Sequence, residues 1–77
     1  MSRITLYGRD GCHLCDDARA VLDRVGEPYD EVDIESDDDL FKRMLERIPV
    51  VAVDGEEAFD LFVGEEALRA RLQWKSG

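Results

Sequence analysis

The 77 residues predict an α/β fold: a βαβ unit, a second helix, a β-hairpin and a last helix, arranged around a four-stranded mixed sheet. Three observations carry this reading. Period-two apolar runs flank a helical stripe with about 20 residues between them, which suits a parallel crossover. Asp54-Gly55 separates two further strand-like runs, the signature of a tight hairpin. Leu68 and Leu72 then stand four apart, as on one face of a closing helix.

Each element follows from its residues. Ile4 and Leu6 alternate with Thr5 and Tyr7 in a β-branched, aromatic run, and Gly8-Arg9-Asp10-Gly11 breaks it with turn-forming residues. From Leu14, the apolar residues Ala18, Val21, Leu22 and Val25 form one helical stripe, ended by Gly26 and Pro28. Tyr29 to Ile34 reads as the second strand, joined to the first by a right-handed crossover. Ser36 is the expected N-cap of the next helix, with Asp37-Asp38-Asp39 suiting its positive end. Leu40, Phe41, Met44, Leu45 and Ile48 continue that helix until Pro49. Val50-Val51-Ala52-Val53 reads as a buried strand, the hairpin returns as Ala58 to Val63, and Gly64-Glu65-Glu66 opens the last helix. Lys75-Ser76-Gly77 is expected to fray. Tyr7 and Phe41 fall at core positions, core is also the expectation for most of Tyr29, Phe59 and Phe62, and Trp74 is expected to cover the last helix.

Composition narrows the function. Leu, Ile, Val and Phe make up 21 of 77 residues, enough for a folded chain, and at this length about 60% of the extended surface is buried, which supports one thin core. A single domain over residues 1–77 follows. Nineteen acidic residues against ten basic ones leave a net charge of −9, with the signs interleaved. Phosphate binding needs clustered Lys and Arg, so no nucleic-acid partner is expected. The longest apolar stretch falls far short of the roughly 20 residues a bilayer requires, and no membrane association is expected. The start Met1 to Tyr7 shows no apolar signal region, so the expected location is the reducing cytoplasm.

The chemistry concentrates in Cys12-His13-Leu14-Cys15, which contains both cysteines of the chain and lies between the first strand and its helix. Residues three apart in a first helical turn have Cα atoms about 5–6 Å apart, within disulfide range. Cys12 faces free backbone N–H groups and the positive helix end, which favour thiolate, and it is the expected nucleophile. Cys15, one turn deeper beside Leu14 and Ala18, is the expected resolving thiol. Such a pair cycles between dithiol and disulfide without a cofactor. Zinc would need ligands beyond two cysteines and His13, and no metal site is expected. A purely structural bridge would close a tiny loop with little entropic gain and sit badly in a reducing compartment.

This pattern, Gly-Cys-x-x-Cys between strand and helix followed by Ile48-Pro49-Val50 before a buried strand and hairpin, resembles glutaredoxin within the thioredoxin fold. The likeness runs from Ile4 to Leu72. Cys12-His13-Leu14-Cys15-Asp16 with Arg47-Ile48-Pro49-Val50 is similar to a branch of small bacterial glutaredoxin-like proteins. The resemblance implies a cis Ile48-Pro49 peptide facing the cysteines, with the Ile48 backbone free to pair with an extended substrate. His13 replaces the proline common after the first cysteine in glutaredoxins. Protonated His13 would favour the neighbouring thiolate, or His13 is simply solvated; Arg9 is a candidate counter-charge or an exposed loop arginine. Asp16 and Asp17 oppose a thiolate in their turn. Glutathione-specific members resemble one another in a Gly-Gly-x-x-Asp segment, where this chain has only Gly64 followed by Glu65 and Glu66, so glutathione is disfavoured as the thiol partner.

The expected activity is thiol-disulfide exchange by a monomer on a disulfide-containing protein or low-molecular-weight thiol, with an unidentified electron donor. Two rivals remain: an iron-sulfur scaffold in which two chains share a cluster through Cys12, and a redox-regulated binding module without turnover.

Overall fold

The structure is a computed structural model and describes residues 3–74, with the side chain of Trp74 left out. The expectations for Lys75-Ser76-Gly77 and for the Trp74 side chain lie outside what is described. Strand β1 (Ile4–Gly8) leads to α1 (His13–Val25), β2 (Tyr29–Asp33), a short 3-10 turn (Ile34–Ser36) and α2 (Asp38–Met44). Strands β3 (Val50–Val53) and β4 (Glu56–Asp60) precede α3 (Glu65–Trp74). The sheet order is β2-β1-β3-β4. β1 and β2 are parallel, with Leu6 opposite Glu31 and Gly8 opposite Asp33; the other two pairings are antiparallel. This is a thioredoxin/glutaredoxin-like fold with the four-stranded mixed sheet expected from the sequence.

β3 explains the layering. All four of its residues are buried because the sheet is covered on both faces, and alternate side chains serve different cores. Val51 and Val53 join Ile4, Leu6, Ala18, Val21, Leu22, Val63 and Leu68, uniting the sheet with α1 and α3. Val50 joins Cys15, Ile34, Met44 and Ile48 in a second cluster that includes α2. Tyr7 and Phe41 pack against that second cluster, and Tyr29 and Phe59 against the first, as expected. Phe62 departs from the core reading: it is 75% exposed, because β4 ends at Asp60 and leaves it on a loop.

Other boundaries differ from the sequence reading for local reasons. The second strand stops at Asp33, whose side chain accepts from Glu35 N–H and turns the chain before Ile34. Asp37, not Ser36, caps α2: its Oδ1 accepts from the N–H groups of Asp39 and Leu40 at 2.8 and 3.2 Å. The Ser36 hydroxyl instead donates to Asp33 O at 2.7 Å. α2 ends at Met44, and residues 45–47 continue as turns, with Ile48 N–H still reaching Met44 O at 3.0 Å. β4 begins at Glu56, immediately after a turn in which Asp54 and Gly55 both have positive φ, the conformation that Asp-Gly favours in a two-residue hairpin.

Replacing Asp37 by Ala should lower unfolding stability by about 1 kcal/mol in urea denaturation, through loss of the cap. Ser36→Ala removes a single exposed hydrogen bond and should cost about half as much.

Candidate functional site

Backbone geometry at the end of β1 sets the site. Gly11 takes a positive φ of 78° and turns the chain, so that α1 starts directly above the sheet. Cys12 is the N-cap residue, with extended backbone, and its Sγ accepts from Cys15 N–H at 3.3 Å. The cysteine sulfur thus occupies the position where Ser or Asp would ordinarily satisfy a free helix N–H. Cys12 is partly exposed and Cys15 is fully buried, and both are free thiols. A negative charge developing on Cys12 would lie at the positive end of a 13-residue helix, where it is stabilised.

Cys15 sits in a different environment. It packs with Ile34, Met44, Ile48 and Val50. Burial, together with its hydrogen bond and charge interaction with Cys12, pushes its thiol up to about 11, against opposing contributions from the Arg9 backbone and from Arg19. Two sulfurs three residues apart are therefore inequivalent: one at the surface and aligned with the helix dipole, one dry and held as the thiol.

Arg9, Cys12 and Ile48 line one open hollow of about 440 Å³, together with Asp10, Gly11 and Leu45. The Ile48-Pro49 peptide bond is cis, and both residues are buried. The Arg9 guanidinium pairs with Glu35 at 2.7 Å and lies 5.7 Å from the Phe41 ring centroid, so its charge is engaged on the α2 side of the hollow. His13 is exposed as the first residue of α1, and Asp16 pairs with Arg19 at 2.5 Å. Gly64 lines a second hollow, of about 300 Å³, between α1 and the loop before α3, with Leu14, Phe62 and Val63 among its neighbours. The Leu61 N–H, at 3.0 Å from both Arg47 O and Pro49 O, ties this loop to the Ile48-Pro49 segment. The two acidic residues after Gly64 are not equivalent: Glu65 pairs with Arg24 at 2.6 Å and with Arg69 at 3.2 Å, which lower its carboxyl from the usual range, and Glu66 is exposed. Repulsion of an incoming carboxylate is therefore weaker at Glu65 than its formal charge implies. Among the described residues, no group of three or more His, Cys, Asp or Glu side chains could hold a metal ion. No helix among them is long and apolar enough to cross a membrane.

In the sequence Gly8 falls with the turn residues Gly8-Arg9-Asp10-Gly11, and the structure places it differently. Gly8 is the buried last residue of β1, and a Cβ there would stand 3.0 Å from Cys15 Sγ and 3.3 Å from Cys15 Cβ. Its bare backbone makes room for the resolving sulfur. Only its place at the end of a strand, three residues before the turn glycine, hinted at a close approach.

Comparison with known proteins agrees with this geometry. Residues 3–73 match the family model described as a glutaredoxin-like domain (DUF836). A protein of X. campestris with an X-ray structure is 36% identical, with a TM-score of 0.83, over 92% of this chain and 96% of that one. A protein from Nitrosomonas europaea, solved by NMR, is 24% identical with a TM-score of 0.77 over 91% and 89% of the two chains. Glutaredoxin from Archaeoglobus fulgidus is 19% identical, with a TM-score of 0.68 over 95% and 88%, a likeness of fold. No curated protein matches the sequence.

Gly8→Ala should drive a methyl group into Cys15 and cost about 1–3 kcal/mol in urea denaturation. At Gly64 a Cβ meets atoms at 3.6 and 3.8 Å, ordinary contact, so Gly64→Ala should cost under about 1 kcal/mol. The raised Cys15 thiol has a further consequence. The folded state keeps a proton that the unfolded chain releases near pH 9.0, so this contribution to the reduced protein's stability is fully present below that pH and is lost as pH rises towards about 11. Tyr29, also raised by burial and by Asp23 and Glu31, acts in the same sense whether or not Cys15 is present. The part of the alkaline loss that disappears in reduced Cys15→Ser, measured by denaturation across this range, should therefore be that of Cys15.

Proposed function

Because the chain belongs to the glutaredoxin-like domain family, we propose that it is a thiol-disulfide oxidoreductase in which Cys12 attacks and Cys15 resolves. One observation carries the assignment of roles: Cys12 caps α1 from a partly exposed position beside an open hollow, and Cys15 is buried one turn deeper. The Cys12 thiolate attacks one sulfur of a substrate disulfide, forming a mixed disulfide and releasing the other sulfur as a thiolate that takes up a proton. Cys15 loses its proton and attacks Cys12 Sγ. The Cys12-Cys15 bond forms, the mixed disulfide breaks, and the second substrate sulfur leaves as a thiol. Two electrons pass from the protein to the substrate, and an external thiol donor restores the dithiol.

Substrate binding is assigned to the hollow beside Cys12, where the Ile48 carbonyl would accept from an extended segment next to Pro49, the Ile48 N–H being held by Met44 O at 3.0 Å, and to the neighbouring loop at Gly64. Exposed Leu45 on the rim of the hollow and exposed Leu14 between the cysteines favour a protein disulfide with apolar residues near its sulfurs over a small polar thiol such as glutathione. His13, when protonated, would add positive charge next to the Cys12 thiolate, with Arg9 a more distant contributor through its position in the same hollow. In this reading the protein acts as a cytoplasmic monomer. Its charge of −9 speeds encounters with basic protein surfaces and disfavours nucleic acid.

Incubation with a disulfide-bonded peptide tests the roles. Cys12→Ser should abolish exchange, and Cys15→Ser should accumulate the mixed disulfide at Cys12, detected by intact-mass measurement. Full exchange activity in Cys12→Ser would remove the nucleophile assignment.

A further inference from the structure

Arg19 stands one helical turn beyond Cys15 on α1, and two elements hold it in place. Its Nε and Nη2 donate to the Glu31 carboxylate on β2 at 2.8–3.0 Å, and its Nη1 donates to Asp16 at 2.5 Å. Paired this way, the guanidinium has little rotamer freedom left to lose. Its side chain is 24% exposed, against 41% for Glu31 and 65% for Asp16. The bare face of Gly8 locates it relative to Cys15. The position that a Gly8 Cβ would occupy lies 3.0 Å from Cys15 Sγ and 3.9 Å from Arg19 Nη2, so the sulfur and the guanidinium share one space over the end of β1.

We propose that Arg19 is a positioning residue whose clamped guanidinium supplies the positive charge that the buried Cys15 sulfur needs when it becomes an anion. The surroundings leave few alternatives. On the β3 and α2 sides Cys15 meets Val50, Ile48, Met44 and Ile34, all apolar. From the β1 end it receives the Arg9 backbone, whereas the Arg9 side chain is turned to Glu35. From its own helix it meets Cys12, which repels a second anion, and Arg19, which attracts one. Glu31 and Asp16 oppose Arg19 in sign, but both are more exposed, and water screens them more strongly than it screens the half-buried cation. In exchange, this charge is needed at the second step, where Cys15 gives up its proton and attacks Cys12.

The consequence for turnover rests on the exchange chemistry proposed above; the charge relation itself does not. It can be read in full-length Cys12→Ser protein, where Cys15 is the one remaining thiol. The probe is the NMR shift of the Cys15 β carbon, labelled at cysteine and followed against pH. Adding Arg19→Met should reduce the fraction of Cys15 ionised at a given pH about three- to tenfold. Arg19→Lys, which keeps the charge, should recover most of it. A purely structural role would be lost equally in Met and Lys, and that result, or an unmoved titration in Arg19→Met, overturns the inference. If the titration moves as stated while the wild-type protein fails to exchange disulfides, Arg19 keeps its role and the exchange chemistry alone is overturned.

Discussion

The contact between Cys15 and the bare backbone of Gly8 constrains everything around it. A sulfur 3.0 Å from where a Cβ would stand means that α1 lands directly on the end of β1, with no side chain between them. That landing buries Cys15 and leaves Cys12 at the helix cap, where its sulfur accepts from the Cys15 N–H. It also brings the cap beside Ile48 and Leu45, which follow the end of α2. The chemical difference between the two thiols is therefore a product of packing: the same residue type, three positions apart, is given an apolar cluster in one case and a helix dipole with water access in the other.

Electrostatics refines this arrangement more than it stabilises the fold. The chain carries nine more acidic than basic residues, and its arginines repeatedly join separate elements: Arg24 reaches from α1 to Glu65 on α3, Arg19 to Glu31 on β2, and Arg9 to Glu35. Exposed pairs of this kind contribute at most about 1 kcal/mol each. Their value lies in orientation. Glu65, engaged by Arg24 and Arg69, is less repulsive than an isolated carboxylate, and Arg9, engaged by Glu35 and lying over Phe41, is less available to Cys12 than its position in the loop implies.

Much of the fold was legible in the sequence because short-range signals and the global topology agree. Alternation marked β1, the stripe from Leu14 to Val25 marked α1, and Asp54-Gly55 marked the hairpin with the positive φ values that such a turn requires. The cysteine pair was legible by its spacing and its place between strand and helix. The errors came where two local options compete. Ser36 and Asp37 are both good caps, and Asp37 is favoured because Ser36 is drawn back to Asp33 O. The apolar spacing from Leu40 to Ile48 fits a helix, yet the chain leaves regular helix after Met44 as it approaches the cis Ile48-Pro49 bond. Gly8, Arg19 and the exposure of Phe62 were not legible, because each depends on which distant segment lies opposite it, and periodicity carries no such information.

The account stands on Cys12 and Cys15 forming a disulfide that is readily made and broken. The most direct measurement is the reduction potential of that couple, obtained by equilibrating the protein in graded thiol buffers and trapping the remaining thiols. The account predicts a value between about −200 and −290 mV, the range of exchange catalysts. A value well below about −300 mV would describe a disulfide too stable to cycle and would contradict it.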